Sequence, residues 1–238
     1  MTRVDRRKNE ELRPITAKVG VIKNAEGSAM LKIGGTTAIA AVYGPRDLYP
    51  RFKQDPKKGL LRCDYNMMPF SGHGDRVRPG GGRRSKEISM VTQKAINPVI
   101  DLKNCPNAVV DVFIELTETD AGTRCAGITA AAMALADAGI EMKDLVIALS
   151  VGMLDGELLV DINGKEDCEL GATDIPIAYI PSMDKISLLQ IDGEITREDL
   201  KKALEVGKKK CLEIYEIQKK ALKQKYSTAN KTEKVKSK

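Results

Sequence analysis

The chain contains no tryptophan and a single histidine, His73, set in the glycine-rich stretch Ser71-Gly72-His73-Gly74-Asp75. A histidine-based nucleophilic triad therefore has one possible anchor, in a poor position, and that chemistry is set aside. Cysteine lacks pattern rather than number. Cys63, Cys105, Cys125, Cys168 and Cys211 are odd in count and scattered, and none forms a CxxC pair. Neither a disulfide framework nor a thiolate zinc site is expected, and a reducing cytoplasm is the simple inference. No apolar run approaches a membrane span, and the charged opening MTRVDRRKNEELRP shows no secretory signal, so a cytoplasmic protein without membrane contact is expected. No short-period solenoid repeat is visible either.

What is present fits a globular protein. With 238 residues, 42% of them hydrophobic and 30% charged, there is enough chain to bury a core. The formal net charge of +6 is compatible with a polyanionic partner, although a basic tail contributes to the excess.

The most informative stretch runs from Val109 to Gly139. Val109, Val110, Val112, Phe113, Ile114 and Leu116 read as a strand. Ala130, Ala131, Ala132, Ala134, Ala136 and Ala138, followed by Gly139, read as a helix with its C-terminal stop. Between them lies Asp120-Ala121-Gly122-Thr123-Arg124. Unpaired N–H groups at a helix start stabilise an anion, Gly122 permits close approach, Thr123 can cap or donate its hydroxyl, and Arg124 offers a bidentate fork. A plain capped helix start has the same residues; a phosphate cradle is the functional alternative.

Three short strands are expected at Ala17–Lys23, Gly27–Ile33 and Thr36–Tyr43, the last stopped by Gly44-Pro45-Arg46-Asp47. A fourth follows at Leu60–Pro69. The segment Ser71–Ser85, with Arg76, Arg78, Arg83 and Arg84 among five glycines, reads as a mobile basic loop, either simply solvated or a backbone clamp for nucleic acid or phosphate. A helix from Ser85 to Leu102 places Ile88, Val91, Ala95 and Val99 on one face, with a kink expected at Asn97-Pro98. Beyond the central unit, Leu145–Leu154 and Glu157–Asp161 form a hairpin across Asp155-Gly156, and strands follow at Ile175–Ile180 and Ile186–Ile191. A long helix starts at Thr196-Arg197-Glu198-Asp199, a capping-box variant. The partial segregation of strands and helices favours an α+β fold. Residues 1–226 are read as a single catalytic domain and 227–238 as a basic, disordered tail.

Val160-Asp161-Ile162-Asn163-Gly164-Lys165-Glu166-Asp167 clusters acids and amides at a strand end. Carboxylates beside a cationic phosphate cradle would suit Mg²⁺ and phosphoryl transfer, whereas a hydrophilic turn facing water has the same composition. A calcium-hand loop is excluded because its closing Glu is missing.

At this point the chain resembles the RNase PH family, in the form found in the catalytic ring of the archaeal RNA exosome. The matching pieces are RxDxRxxxELRP (Arg3 to Pro14), Ala41–Arg46, Met68-Pro69-Phe70-Ser71, Gly82–Ile88, Asp120–Arg124 with its alanine-rich helix, and Val160–Asp167. The resemblance implies an RNase PH-type fold of mixed sheets packed with helices, like domain 2 of ribosomal protein S5. It implies a phosphorolytic 3′→5′ exoribonuclease that uses inorganic phosphate as co-substrate and releases nucleoside 5′-diphosphates. Gly122, Thr123, Arg124 and Arg84 would bind phosphate, and Arg62, Arg83 and Lys86 would bind RNA. Asp161 and Asp167 would be the catalytic pair and the Mg²⁺ ligands. It further implies a hexamer of three heterodimers with an inert RNase PH-type subunit, capped by RNA-binding subunits. Two departures stand out. Asp64 occupies the place of a second channel arginine, and the loop from Asp167 to Asp174 is one residue longer than in RNase PH itself, so Asp174 receives no role. The alternatives are a non-catalytic RNA-binding ring subunit and a homomeric, tRNA-trimming RNase PH.

Overall fold

The computed structural model describes residues 3–72, 78 and 81–236, with 228–236 as backbone alone; His73 and much of the glycine-arginine loop lie outside them. Two sheets sandwich a central helix. The first has the order β1 (Ile15–Val19), β2 (Gly27–Ile33), β3 (Thr36–Asp47), β5 (Ala108–Glu118), β4 (Leu60–Met67). All its pairings are antiparallel except β4 with β5. The second, fully antiparallel, has the order β7 (Glu157–Val160), β6 (Ile147–Leu154), β8 (Thr173–Ile180), β9 (Lys185–Leu189). Helix α1 (Arg83–Ile96) flanks β4, α2 (Thr123–Asp137) lies between the sheets, and α3 (Arg197–Lys236) covers β1, β6 and β8.

Helix α2 is buried without interruption from Cys125 to Leu135. A helix hydrophobic all round belongs in an interior, and its alanines let both sheets approach closely. The start of β2 is so near the helix end that a Cβ on Gly27 would fall 2.3 Å from the Ala134 carbonyl oxygen. One core therefore runs from Leu31, Val112 and Ile114 through α2 to Ala148 and Ile180.

Several boundaries move from their expected places. Strand β1 ends at Val19, before Gly20 at φ +69°. Strand β3 does not stop at Gly44-Pro45: after an irregularity it pairs again, Arg46 with Val109 and Asp47 with Ala108. Helix α1 ends at Ile96 rather than bending at Asn97-Pro98: Asn97 is still in the helical region and donates to the Gln93 carbonyl, but Pro98 has no N–H to continue the ladder. Helix α3 begins as expected, with Thr196 Oγ1 accepting from the Asp199 N–H (3.1 Å) and donating to Asp199 Oδ2 (2.8 Å). It then continues to Lys236 through the segment expected to be disordered, which contains no proline or glycine to end it.

The first residues are built into the second sheet. Arg3, 4% exposed, donates from Nε and Nη2 to the two carboxylate oxygens of Glu166 at 2.8 and 2.7 Å, and from Nη1 to the Val160 carbonyl at 2.8 Å. Glu166 also accepts from the Asn163 N–H, while Asn163 Oδ1 accepts from the N–H groups of Lys165 and Glu166, each at 3.0 Å. This reciprocal capping shapes the π-helical turn Lys165–Glu169. Removing one member strands the other as an unpaired buried charge, at about 3–5 kcal/mol. For a chain of this size Arg3→Ala or Glu166→Ala is expected to lower Tm by about 10 °C, measured by calorimetry. Burial alone would raise the Glu166 pKa, but Arg3 and the Asn163 N–H together hold it below the usual value. Its contribution is therefore complete above the unfolded-state pKa and disappears as pH falls through the lower folded-state value.

Candidate active site

The turn from β5 into α2 brings Ala121 and Gly122 into the left-handed region, at φ 55° and 62°. No side chain caps α2: Gly122 occupies the N-cap, and Thr123 is already inside the helix rather than capping it. The first amides of α2 have no carbonyl one turn earlier to pair with, and the helix dipole adds positive potential there. The turn is held from behind. Thr36 Oγ1 donates to the Ala121 carbonyl (2.7 Å) and accepts from the Asp120 N–H (2.8 Å). Asp120 Oδ1 accepts from the Gly164 N–H at 2.8 Å, joining the cradle to the acid loop.

The residue that ties these parts together is Arg13, which had no role in the sequence reading. It is 5% exposed and donates from Nη1 to the Asp120 carbonyl (2.5 Å) and from Nε and Nη2 to the two Asp161 oxygens (3.0 and 2.7 Å). Its backbone N–H adds a bond to Asp161 Oδ2 at 2.9 Å, and Arg7 lies 3.6 Å from the same oxygen. Burial alone would lower the Arg13 pKa, but Asp161 and Asp120 together raise it.

This geometry corrects the expected acid pair. Asp161 is 2% exposed and both its oxygens are taken by Arg13, so it fits neither a proton donor nor a metal ligand. Asp167 is the acid presented by the π-helical turn, and its charge partner is Asp174, the residue left unassigned. Burial raises the Asp167 pKa first and the charge of Asp192 adds to it, while Arg84 and Arg124 oppose both. Burial also raises Asp174, with Asp167 and Asp192 adding to it; the Ser150 hydroxyl, which donates to Asp174 Oδ1, and Arg124 oppose the rise. Asp167 thus lies within the field of both Arg84 and Arg124, and Asp174 within that of Arg124 at the first turn of α2. Of the expected phosphate ligands, Gly122, Thr123, Arg124 and Arg84 meet here. Arg124 Nη1 donates to Gln190 Oε1 (2.8 Å), and Gln190 Nε2 donates to Glu87 Oε1 (3.3 Å).

The expected RNA ligands divide. Arg62 and Lys86 line a groove of about 530 Å³ with Asp64, Met90, Gln93 and Phe113. Arg83 is exposed at the first turn of α1 and does not line it. Arg62 is fixed by a residue the sequence reading missed. The side chain of Asp111 is 2% exposed and accepts from Arg62 Nε (2.5 Å) and Nη2 (2.9 Å) and from Arg46 Nη2 (2.5 Å). An acid within Val109-Val110-Asp111-Val112-Phe113 was the available signal, since a buried carboxylate needs a partner. Burial would raise Asp111, but Arg62 and Arg46 hold it below its usual value.

Mg²⁺ prefers one or two carboxylates together with phosphate oxygens. Asp167 and Asp174 fit that requirement, because both are carboxylates raised by burial and the charge of Asp192, Asp174 also by Asp167, and a bound cation would offset those charges. Among the described residues no group of three or more His, Cys, Asp or Glu side chains could hold a metal ion, so substrate oxygens would have to complete the shell.

Comparison with known proteins places this geometry in a family. Residues 11–141 match domain 1 of the 3′ exoribonuclease family (RNase PH), and residues 144–210 match its domain 2. The chain is 48% identical over 224 residues to the exosome complex component Rrp41 of Methanopyrus kandleri, covering 94% of this chain and 93% of that one. It is 50% identical over 224 residues to the Pyrococcus furiosus Rrp41, with coverage of 94% and 89%. The crystal structure of rice Rrp46 superposes with a TM-score of 0.82 at 25% identity, covering 93% of this chain and all of that one. With both family domains matched in order and curated relatives near half identity across most of its length, the chain belongs to the 3′ exoribonuclease, or RNase PH, family.

Proposed function

We propose that the chain is the phosphorolytic catalytic subunit of an RNA exosome ring, removing nucleotides from the 3′ end of RNA as nucleoside 5′-diphosphates. The observation that carries this reading is the uncapped start of α2 with Arg124 on its first turn, whose charge acts on both Asp167 and Asp174, while Arg84 acts on Asp167. An in-line displacement needs both sides of the reacting phosphorus served. The amides of α2, Thr123, Arg124 and Arg84 would hold inorganic phosphate on the attacking side. Its oxygen forms a bond to the terminal phosphodiester phosphorus as the bond from phosphorus to the 3′ oxygen breaks. Asp167 and Asp174, raised and coupled, would supply the proton to that leaving oxygen as a pair. In a metal-loaded form Asp167 and Asp174 would instead be ionised ligands of Mg²⁺, which would supply at the leaving oxygen the charge neutralisation that the proton otherwise provides.

Arg62 and Arg46, fixed on Asp111, and Lys86 on α1 would grip the RNA backbone on its way to the reaction centre. Relatives named as exosome components support assembly into a ring. A hexamer of three heterodimers with an inert RNase PH-type partner, capped by RNA-binding subunits, is the arrangement we favour. No helix of the described residues is long and apolar enough to cross a membrane, and free cysteines throughout are compatible with a cytoplasmic location.

The deciding assay uses end-labelled RNA, with and without inorganic phosphate and Mg²⁺, on the chain alone and mixed with its ring partner. Phosphate-dependent release of diphosphates from the 3′ end is expected; monophosphates released without phosphate would mean hydrolysis. Asp167→Asn and Asp174→Asn are each expected to lower kcat by about 10²–10⁴-fold with RNA affinity kept, as for loss of a positioned acid. Asp161→Asn is expected to lower Tm, because it strips Arg13 of its partner. Because the acid form is required at the leaving oxygen, activity falls as pH rises through the pair's raised pKa. Asp192→Asn removes a like charge, lowers that pKa, and is expected to move the alkaline limb of the pH–rate profile to lower pH.

A further inference from the structure

Tyr65 lies on β4, opposite Ile114 in the register, and is 1% exposed. Its ring packs against α2, where a Cβ on Gly127 would stand 3.5 Å from two of its ring carbons. Thr123 is one helical turn before Gly127 and so lies on the same face of α2. The phenol oxygen therefore ends beside the Thr123 side chain, within the fields of Arg84 and Arg124. Among the described residues, that oxygen has no aligned hydrogen-bond partner. A buried, unpaired hydroxyl costs free energy that a phenylalanine of the same shape would not incur. Packing explains the ring but not the oxygen.

We infer that the Tyr65 hydroxyl is a positioning group for the attacking phosphate, donating to Thr123 Oγ1 so that Thr123 directs its own single proton at a phosphate oxygen. A threonine hydroxyl can accept one hydrogen bond while donating another, and chained hydroxyls polarise one another in a low-dielectric site. Without an anion, the Thr123 proton can turn toward the Tyr65 oxygen, which leaves the phenol proton without an acceptor. With an anion in the cradle, both are satisfied at once. Burial, the largest influence on the phenol, raises its pKa, so its proton is in place at neutral pH.

The inference rests on the phosphorolytic reading, and one set of measurements separates the two. Wild type and Tyr65→Phe are compared in whichever form degrades RNA, the chain alone or the ring assembly, by varying inorganic phosphate at saturating RNA. The expected result is a KM for phosphate about five- to tenfold higher, the range for loss of one hydrogen bond, with kcat within about twofold by the same reasoning. RNA affinity should be unchanged and Tm equal or slightly raised, since the variant deletes an unpaired polar atom from the interior. In a Thr123→Ala background, Tyr65→Phe should have no further effect on phosphate binding, measured by calorimetry. An unchanged KM for phosphate in Tyr65→Phe would overturn the inference while leaving phosphorolysis intact. A fall in Tm together with kcat would assign the hydroxyl a purely structural role and overturn it as well. A wild type indifferent to phosphate would sink the parent reading, and the inference with it.

Discussion

The guanidinium of Arg13 sits between Asp120 and Asp161, and both halves of the reaction centre depend on it. One carboxylate opens the cradle at the start of α2; the other closes strand β7 just before the turn that carries Asp167. Coulombic attraction is strong where water is excluded, and so is the cost of leaving a charge there unpaired. The fork geometry of arginine suits the task, because a single planar group satisfies two oxygens of one acid while still reaching a carbonyl of another segment. Arg3 repeats the device one layer further out, on Glu166. Electrostatics in this molecule therefore first assembles the site and only then serves its chemistry.

The same principle sorts the acids. Asp161, Asp167 and Asp174 are chemically alike and close in sequence, yet their surroundings divide them. A carboxylate whose oxygens both accept from a buried arginine, as in Asp161, is fixed in place and has no reach. A carboxylate that is partly buried beside its own kind holds protons longer and has open lone pairs. Asp111 resembles the first group in having both oxygens taken, although the arginines it holds, Arg46 and Arg62, are half exposed and face outward. Role follows from partner rather than from residue type.

This accounts for which features could be read from the chain. The passage from strand to glycine to alanine-rich helix is a local signal, and Gly122, Thr123 and Arg124 stand at the start of α2 as that pattern implies. The capping of α3 by Thr196 is equally local. The pairing of Asp161 with Arg13 spans 148 residues, and no spacing within Val160–Asp167 could display it. Asp174 escaped because its neighbourhood is set by Ser150 on an adjacent strand. Strand β3 outran its expected stop because pairing with β5 resumes beyond Gly44-Pro45, a tertiary reward that overrides local turn chemistry.

The Arg3–Glu166 pair closes a separation of 163 residues and the Arg13–Asp161 pair one of 148. Closing loops of that length carries an entropic cost before any contact is gained, and such contacts form slowly. During synthesis the arginines emerge first and wait for most of the chain to follow. A nascent or half-folded copy thus holds the start of α2 and the acid turn as separate, unaligned pieces. Nuclease competence is coupled to completion of the fold, and an unfinished chain is an unarmed one.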